Sequence, residues 1–208
     1  EPTVLPSIFY EKTKKGWRGT QKFRTELSAV QLDNDQGHDM SRWSGIFEVV
    51  EDFELPLGIA NYEANVTGNY YSIHTKPDSA VTKLGDFSFV NPALSVGWRL
   101  PIAAVGANRT AIFEPQARLA SIGGKDRTSI IPNRDASDYS IDEANLFLLN
   151  RHQGKDYILP GTRADIGVSA TTKDNFFGDV SGFLGVSRRL AGKTSAGLNT
   201  DQGDKYSD

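Results

Sequence analysis

Cysteine is absent from all 208 residues of the chain, which excludes disulfide scaffolds and metal sites built on thiolates. Long hydrophobic runs are absent too, since no apolar stretch approaches the roughly 20 residues that a membrane-spanning helix needs. A basic stripe is also missing. The charges are of mixed sign and sum to −3, which argues against a nucleic-acid partner.

The apolar content is low as well. Hydrophobic residues make up 38% of the chain, and the mean hydropathy is −0.41. These values fit a soluble all-β domain, or a transmembrane barrel whose strands turn an apolar side chain toward lipid at every second residue. The start of the sequence has no recognisable signal peptide, and its last residues show no obvious end to a fold. We therefore expect a fragment of a longer protein.

Alternation of apolar and polar residues dominates the sequence. In residues 59–71, small apolar residues lie on one face between Tyr62 and Tyr70, and polar residues occupy the other face. The same period of two recurs in residues 22–29, 47–55, 94–102, 111–119, 163–170 and 178–187. In the last of these segments, Phe177 and Phe183 interrupt the polar face. The pattern predicts about eight strands of roughly ten residues or more, joined mostly by short turns into an antiparallel meander.

Strand length favours a barrel over a sandwich. Sandwich strands average about 5–6 residues, whereas a tilted outer-membrane strand needs about 9–11. Tyr62 and Tyr70 are separated by roughly 20 Å along the membrane normal, at about 3.3 Å per residue and a tilt near 40°. That is close to the spacing of two aromatic girdles around an apolar band about 25 Å tall. The alternative, in which these tyrosines edge a soluble sheet, stays open.

One stretch differs from this pattern. Residues 121–156 are rich in Gly, Asp, Asn and Arg, and residues 140–143 have the form of a capping box just before the apolar residues 144–149. We predict a long loop that contains one or two short helical turns.

Several motifs in residues 112–165 are specific in their order and spacing, although each alone would be weak. They are IFEPQA (112–117), IPNRDAS (131–137), IDEANLF (141–147), NR (150–151), Gly154 and GTR (161–163). Upstream stand LPS (5–7), GHD (37–39), RW (42–43) and GWRLP (97–101). Together these motifs resemble the C-terminal β-barrel domain of the family of LPS-assembly proteins, LptD, and the resemblance covers nearly the whole chain. The chain departs from the family at Tyr157, where many members have arginine after the aspartate. Because it lacks cysteine, the disulfides that join the barrel to the N-terminal domain in enteric members cannot involve this segment.

The resemblance implies the following fold and function. Residues 1–208 would be part of an all-β, antiparallel meander within a large transmembrane outer-membrane β-barrel, and the family transports lipopolysaccharide to the surface of Gram-negative bacteria. The implied partners are lipopolysaccharide, a lipoprotein plug like LptE, and the periplasmic Lpt bridge, which acts through an N-terminal domain that this segment lacks. The lipid would leave through a lateral opening between the first and last strands, and this segment would hold interior strands.

Six residues are candidates for the lumen or loop near the lipid path. Three lie in the loop that resembles the family and three on polar strand faces: Asp135, Asn145 and Arg151, and Arg99, Arg118 and Arg163. Arginine offers charge-assisted hydrogen bonds to phosphate. The competing interpretation is ordinary loop capping and the hydrated wall that any wide barrel needs.

The sequence predicts no catalytic residue, no metal site and no cofactor. His38, His74 and His152 lie far apart in or beside loops, and residues 33–39 lack the full ligand alternation and closing Glu of a calcium loop. Two alternative functions remain. One is a small outer-membrane barrel enzyme, a hydrolase or acyltransferase, because eight strands can close into a barrel. The other is a soluble carbohydrate-binding β-sandwich, which predicts tryptophans grouped on one exposed face.

Overall fold

A computed structural model describes residues 2–4, 8–15, 21–34, 38–75, 85–125, 131, 142–151, 154–156, 158–174, 176, 178–192 and 206–207. These residues form eleven strands. The strands are β1 (Pro2–Val4), β2 (Ile8–Lys15), β3 (Lys22–Asn34), β4 (His38–Leu55), β5 (Gly58–Thr75), β6 (Asp86–Arg99), β7 (Ile102–Val105), β8 (Arg109–Ile122), β9 (Gly161–Asp174), β10 (Gly178–Ala191) and β11 (Tyr206–Ser207). The described part of the chain contains no helix that is long and apolar enough to span a membrane.

The strands belong to one sheet with the order β1-β3-β4-β5-β6-β8-β9-β10-β11, in which β2 also pairs with β3 and β7 with β8. The registered pairs are antiparallel, as where Glu26 lies opposite Ile46 and Gly167 opposite Gly185. Eight of the described strands have 8 to 18 residues, and the other three have four or fewer. The predicted all-β antiparallel meander of long strands is therefore confirmed.

A proline divides one predicted strand. The alternation predicted for residues 94–102 runs through Pro101, which has no backbone N–H to give to a neighbouring strand. β6 accordingly ends at Arg99 and β7 begins at Ile102. Arg99 lies opposite Gln116 and Ile102 opposite Phe113, so the register against β8 is the same on both sides of the break. The predicted faces persist although the strand is interrupted.

The chain forms two compact units. In the first unit (Glu1–Val50 and Ala64–Pro92), the polar face of β3 and β4 carries an ion-pair cluster. Arg24 lies 2.6 Å from Glu26, 3.2 Å from Glu11 and 3.4 Å from Glu48. The same face holds Tyr71, which is fully buried and stacks on Phe87 and Phe89 with ring centroids 5.3 and 5.7 Å away. The opposite face exposes Leu27, Trp43, Phe47, Val66 and Tyr70.

In the second unit (Glu51–Glu63 and Ala93–Asp208), the two faces differ in the same way. The apolar face of the long strands exposes Leu94, Val96, Phe113, Leu119, Ile166, Leu184 and Val186. The polar face of the same strands buries Ser95, Asp165 and Ser187. One carboxylate departs from the alternation, because Glu51 lies in phase with the apolar residues of β4. It accepts a hydrogen bond from the Tyr62 hydroxyl at 3.0 Å.

Candidate functional site: a loop segment held on the polar face

Residues 142–151 form a segment that lies on the polar face of β8, β9 and β10, and we call it the pinned segment. Its first residues are locked by reciprocal hydrogen bonds. The Asn145 N–H donates to Asp142 Oδ1 at 3.0 Å, and the Asp142 N–H donates to Asn145 Oδ1 at 3.1 Å. The Leu146 N–H donates to the Asp142 carbonyl at 2.9 Å. This arrangement has the form of a capping box.

The predicted helical turn is thus realised as a turn over residues 143–147 rather than as a helix. The capping pair is Asp142 with Asn145. The predicted pair of residues 140 and 143 includes residue 140, which lies outside the described residues. Asn145, chosen from the sequence as a site residue, therefore shapes the turn through its amide side chain. Asp135, chosen with it, also lies outside the described residues.

Two leucines anchor the pinned segment through apolar contacts. Leu146 is fully buried, and Leu149 forms a small core with Ala120 and Ile122. A fully buried leucine side chain contributes roughly 1.5–3 kcal/mol relative to an exposed one. These apolar contacts stabilise the segment on the sheet independently of its ion pairs.

A pair of facing glycines makes room for the segment. Gly167 and Gly185 lie opposite one another on β9 and β10. A Cβ at Gly167 would lie 3.0 Å from the Phe147 ring, and one at Gly185 would lie 2.8 Å from the Phe183 ring and against Leu146. Larger residues here would lift the segment away from the sheet.

The same site explains Phe183, which interrupted the polar face in the sequence. Its ring meets that of Phe147 edge to face, with centroids 6.4 Å apart and an interplanar angle of 86°. Such pairs contribute about 0.5–1.5 kcal/mol beyond the burial of area. Phe183 is apolar because the pinned segment covers it. Phe177, the other interruption, lies outside the described residues.

Arg151, at the end of the pinned segment, turns back to the strands. Its Nε and Nη2 donate to the Leu146 carbonyl at 3.2 and 2.9 Å, and Nη2 also donates to Ser187 Oγ at 2.8 Å. The same guanidinium pairs with Asp165, whose carboxylate is fully buried. Ser187 Oγ donates in turn to Asp165 Oδ1 at 2.6 Å. The buried carboxylate is therefore neutralised and hydrogen-bonded, as a buried charge requires.

Arg163 and Arg118 hold the segment from the strands. Arg163 Nε donates to Asp165 Oδ2 at 3.1 Å, and its terminal nitrogens donate to the carbonyls of Leu148 and Leu149. Arg118 donates to the Phe147 carbonyl, and it also contacts Glu63 and Ser95. Four consecutive carbonyls, those of residues 146–149, thus each accept a hydrogen bond from an arginine. An irregular backbone that is covered in this way needs such donors.

The structure brings four of the six candidate residues together and separates one. Asn145, Arg118, Arg151 and Arg163 belong to the pinned segment or contact it. Arg99 instead makes its ion pair with Glu114, at 3.8 Å, with 47% of its side chain exposed. Sequence reasoning missed the site role of Ser187 and of the two glycines. Period-two phasing places Ser187 on the polar face, but nothing in the sequence shows that Ser187 lies beside Arg151.

The comparisons with known proteins bear on this fold. The family model described as "LptD: LPS transport system D" matches residues 1–208, whereas no curated protein matches the chain. The match agrees with the resemblance carried by the motifs and with the observed meander of long strands. Because the family model covers the whole sequence, the chain belongs to the LptD family, whose members transport lipopolysaccharide at the outer membrane.

Proposed function

We propose that this chain forms part of the barrel wall through which lipopolysaccharide reaches the outer leaflet of a Gram-negative outer membrane, and that it does so without catalysing a reaction. The proposal includes lipopolysaccharide as ligand, a lipoprotein plug like LptE, and the periplasmic Lpt bridge as partners. Membership of the LptD family supports the transport role. The two partner proteins rest on the family resemblance alone.

The observation that carries the proposal is the inverted placement of side chains. Ile166 and Leu184 are 59% and 75% exposed, whereas Asp165, between Ala164 and Ile166 on the same strand, is fully buried. A water-soluble sheet would hide the apolar face, because exposed apolar patches of this kind mark interaction or membrane surfaces. A barrel wall in lipid has the opposite requirement, with apolar residues outward and polar residues toward the lumen. The exposed apolar faces argue against the carbohydrate-binding sandwich.

The connections supply an orientation. Successive strands are antiparallel, so the connections between them alternate between the two ends of the strands. Residues 16–21, 56–57, 106–108 and 175–177 connect strands at one end, and residues 35–37, 76–85 and 123–160 connect them at the other, so the two longest connections lie at the second end. Outer-membrane barrels have short periplasmic turns and longer extracellular loops. We infer that the pinned segment belongs to an extracellular loop that folds back along the lumen side.

The arginines divide into two roles on this proposal. Arg118, Arg151 and Arg163 are 7–15% exposed and already engaged by carbonyls and carboxylates, so they hold the segment. Arg99 is 47% exposed and makes only a loose pair, which leaves its guanidinium accessible to a phosphate on the passing lipid. Asp135 stays a candidate for the same path.

Photo-crosslinking in cells tests the proposal. A photoreactive amino acid at Gln116, on the polar face, should crosslink to lipopolysaccharide only while export from the inner membrane continues. The same photoreactive amino acid at Val96, on the exposed apolar face, should give a crosslink to lipopolysaccharide that does not fall when export stops. A Gln116 signal that is independent of export would refute the role of this face in transport.

A further inference from the structure

The apolar face of the first unit carries a groove of about 630 Å³, which lies between β2 and β6 and crosses the middle of β3, residues 43–45 of β4 and residues 68–70 of β5. Its volume is within the range of about 300–1,000 Å³ that is typical of ligand pockets. The floor is made by Ala29, Gly45 and Gly68, and the walls include Leu27, Trp43 and Tyr70. The groove lies on the opposite side of the sheet from the ion pairs of Arg24.

The sequence builds this groove from small residues placed beside large ones. Ala29 lies opposite Trp43, and Leu27 lies opposite Gly45, so each cross-strand row pairs a small residue with a large one. At Gly68 an added Cβ would meet nothing within 4 Å. A glycine inside a strand weakens the strand and often marks a place where a ligand approaches closely. Two of them on neighbouring strands, both on the apolar face, make a depression rather than a packing defect.

We propose that this groove holds one acyl chain of a lipopolysaccharide molecule in the outer leaflet, next to the barrel wall. The inference rests on the proposed function and extends it to a lipid subsite on the outside of the wall. The groove is continuous with the exposed apolar face that meets the bilayer. Empty space on such a surface forfeits dispersion contacts. The floor residues Ala29, Gly45 and Gly68 carry no polar side chain to hold water there, so a hydrocarbon chain is the occupant that fits.

The position of the groove selects the source of that chain. Trp43 lies in the first third of β4 and Tyr70 in the last third of β5, so both are displaced toward the end of the strands where residues 76–85 and 123–160 leave the sheet. On the orientation inferred above, that end of the strands faces the outside of the cell. A lipid lying there belongs to the outer leaflet, where the transported lipopolysaccharide arrives.

Native mass spectrometry of the full-length protein, purified from outer membranes in mild detergent, tests the groove. Gly68→Leu fills it, and Gly182→Leu is the matched control, because Gly182 lies on the apolar face of β10 with nothing within 4 Å of an added Cβ. The expected result is that Gly68→Leu retains one lipopolysaccharide molecule fewer than the wild type and than Gly182→Leu. Retained phospholipid should be equal in all three proteins.

A photoreactive amino acid at Leu27 gives a second measurement that does not depend on purification. Its crosslink to lipopolysaccharide should fall at least fivefold when Gly68→Leu is added, whereas a crosslink from Leu184 should not change. Loss of phospholipid instead of lipopolysaccharide overturns the proposed occupant, and unchanged retention with unchanged crosslinking overturns the groove. The proposed function is tested separately. Cells are depleted of their own LptD-family protein, and delivery of lipopolysaccharide to the cell surface by the wild-type full-length protein is measured. Normal delivery together with unaffected retention would discard the groove alone.

Discussion

Asp165→Asn is the sharpest test of how the pinned segment is held. Asp165 is fully buried and pairs with both Arg151 and Arg163. The substitution keeps the shape of the side chain and removes its charge, which leaves two guanidinium groups covered without their counter-ion. Removing one partner of a buried ion pair costs about 3–5 kcal/mol. We expect that cost to appear as release of residues 142–151, because lifting the segment returns both arginines to water.

Hydrogen–deuterium exchange of the full-length protein measures this release. The Leu146 and Leu148 amides report on the segment, because they donate to the carbonyls of Asp142 and Asn145 at 2.9 and 3.1 Å. A loss of about 3–5 kcal/mol corresponds to exchange faster on the order of 100- to 4,000-fold, at 1.4 kcal/mol per factor of ten. Amides in the middle of β9 should keep their protection, since the opening is local.

Asp179→Asn is the matched control, because Asp179 is an exposed aspartate on the polar side of β10. It should leave the exchange of both reporter amides unchanged. If Asp165→Asn accelerates them less than tenfold, or no more than Asp179→Asn does, the buried ion pairs do not hold the segment.

Three further experiments test the pinned segment and the apolar face. Gly185→Val should release the pinned segment and cost about 1–3 kcal/mol through overpacking, and unchanged exchange at the segment would contradict this. Arg118→Met should lower the free energy of unfolding by more than about 1 kcal/mol, because Arg118 is a covered donor to the pinned segment. Arg99→Met should lower it by about 0–1 kcal/mol, because the ion pair of Arg99 is half exposed. Equal effects in urea titrations of the two variants would refute the division of roles. Leu184→Arg should destabilise the protein in lipid vesicles by about 2–4 kcal/mol, and Ser181→Arg, on the polar face, should not. Similar destabilisation by both would mean that the apolar face does not contact lipid.

Period-two alternation predicted seven of the eight long strands and their faces, because it depends only on neighbouring residues. β2 (Ile8–Lys15) lies in no predicted segment, since its residues IFYEKTKK do not alternate. Residues 59–71 fall within β5, and the phase predicted from Leu94 to Ile102 survives the break at Pro101. The short strands at the two ends of the sheet were not predicted, since two or three residues carry no periodic signal.

The site was only partly predictable from the sequence. The motifs selected Asn145 and Arg151, and the faces selected Arg118 and Arg163, but not which of these residues meet. Their contacts join positions 14 to 36 residues apart through a loop whose path has no periodicity. Phe183 shows the limit most clearly. In the sequence it is an apolar residue on a face that is otherwise polar, and only the structure shows that it packs against Phe147.

The pinned segment should have two states rather than a continuum. In its bound position, four carbonyls and one buried carboxylate are matched to three arginines, and two leucines are covered. A partial displacement would leave guanidinium groups and carbonyls covered but unpaired, which costs more than either the matched or the fully hydrated arrangement. Exposed, the same ion pairs would each contribute no more than about 1 kcal/mol. Covered by the leucines, a broken pair leaves an uncompensated charge away from water, which costs about 3–5 kcal/mol. On the proposed function, a wall that lines the path of a hydrated lipid head group can thus keep a covered, ordered patch, provided that the pinned segment is either fully bound or fully released.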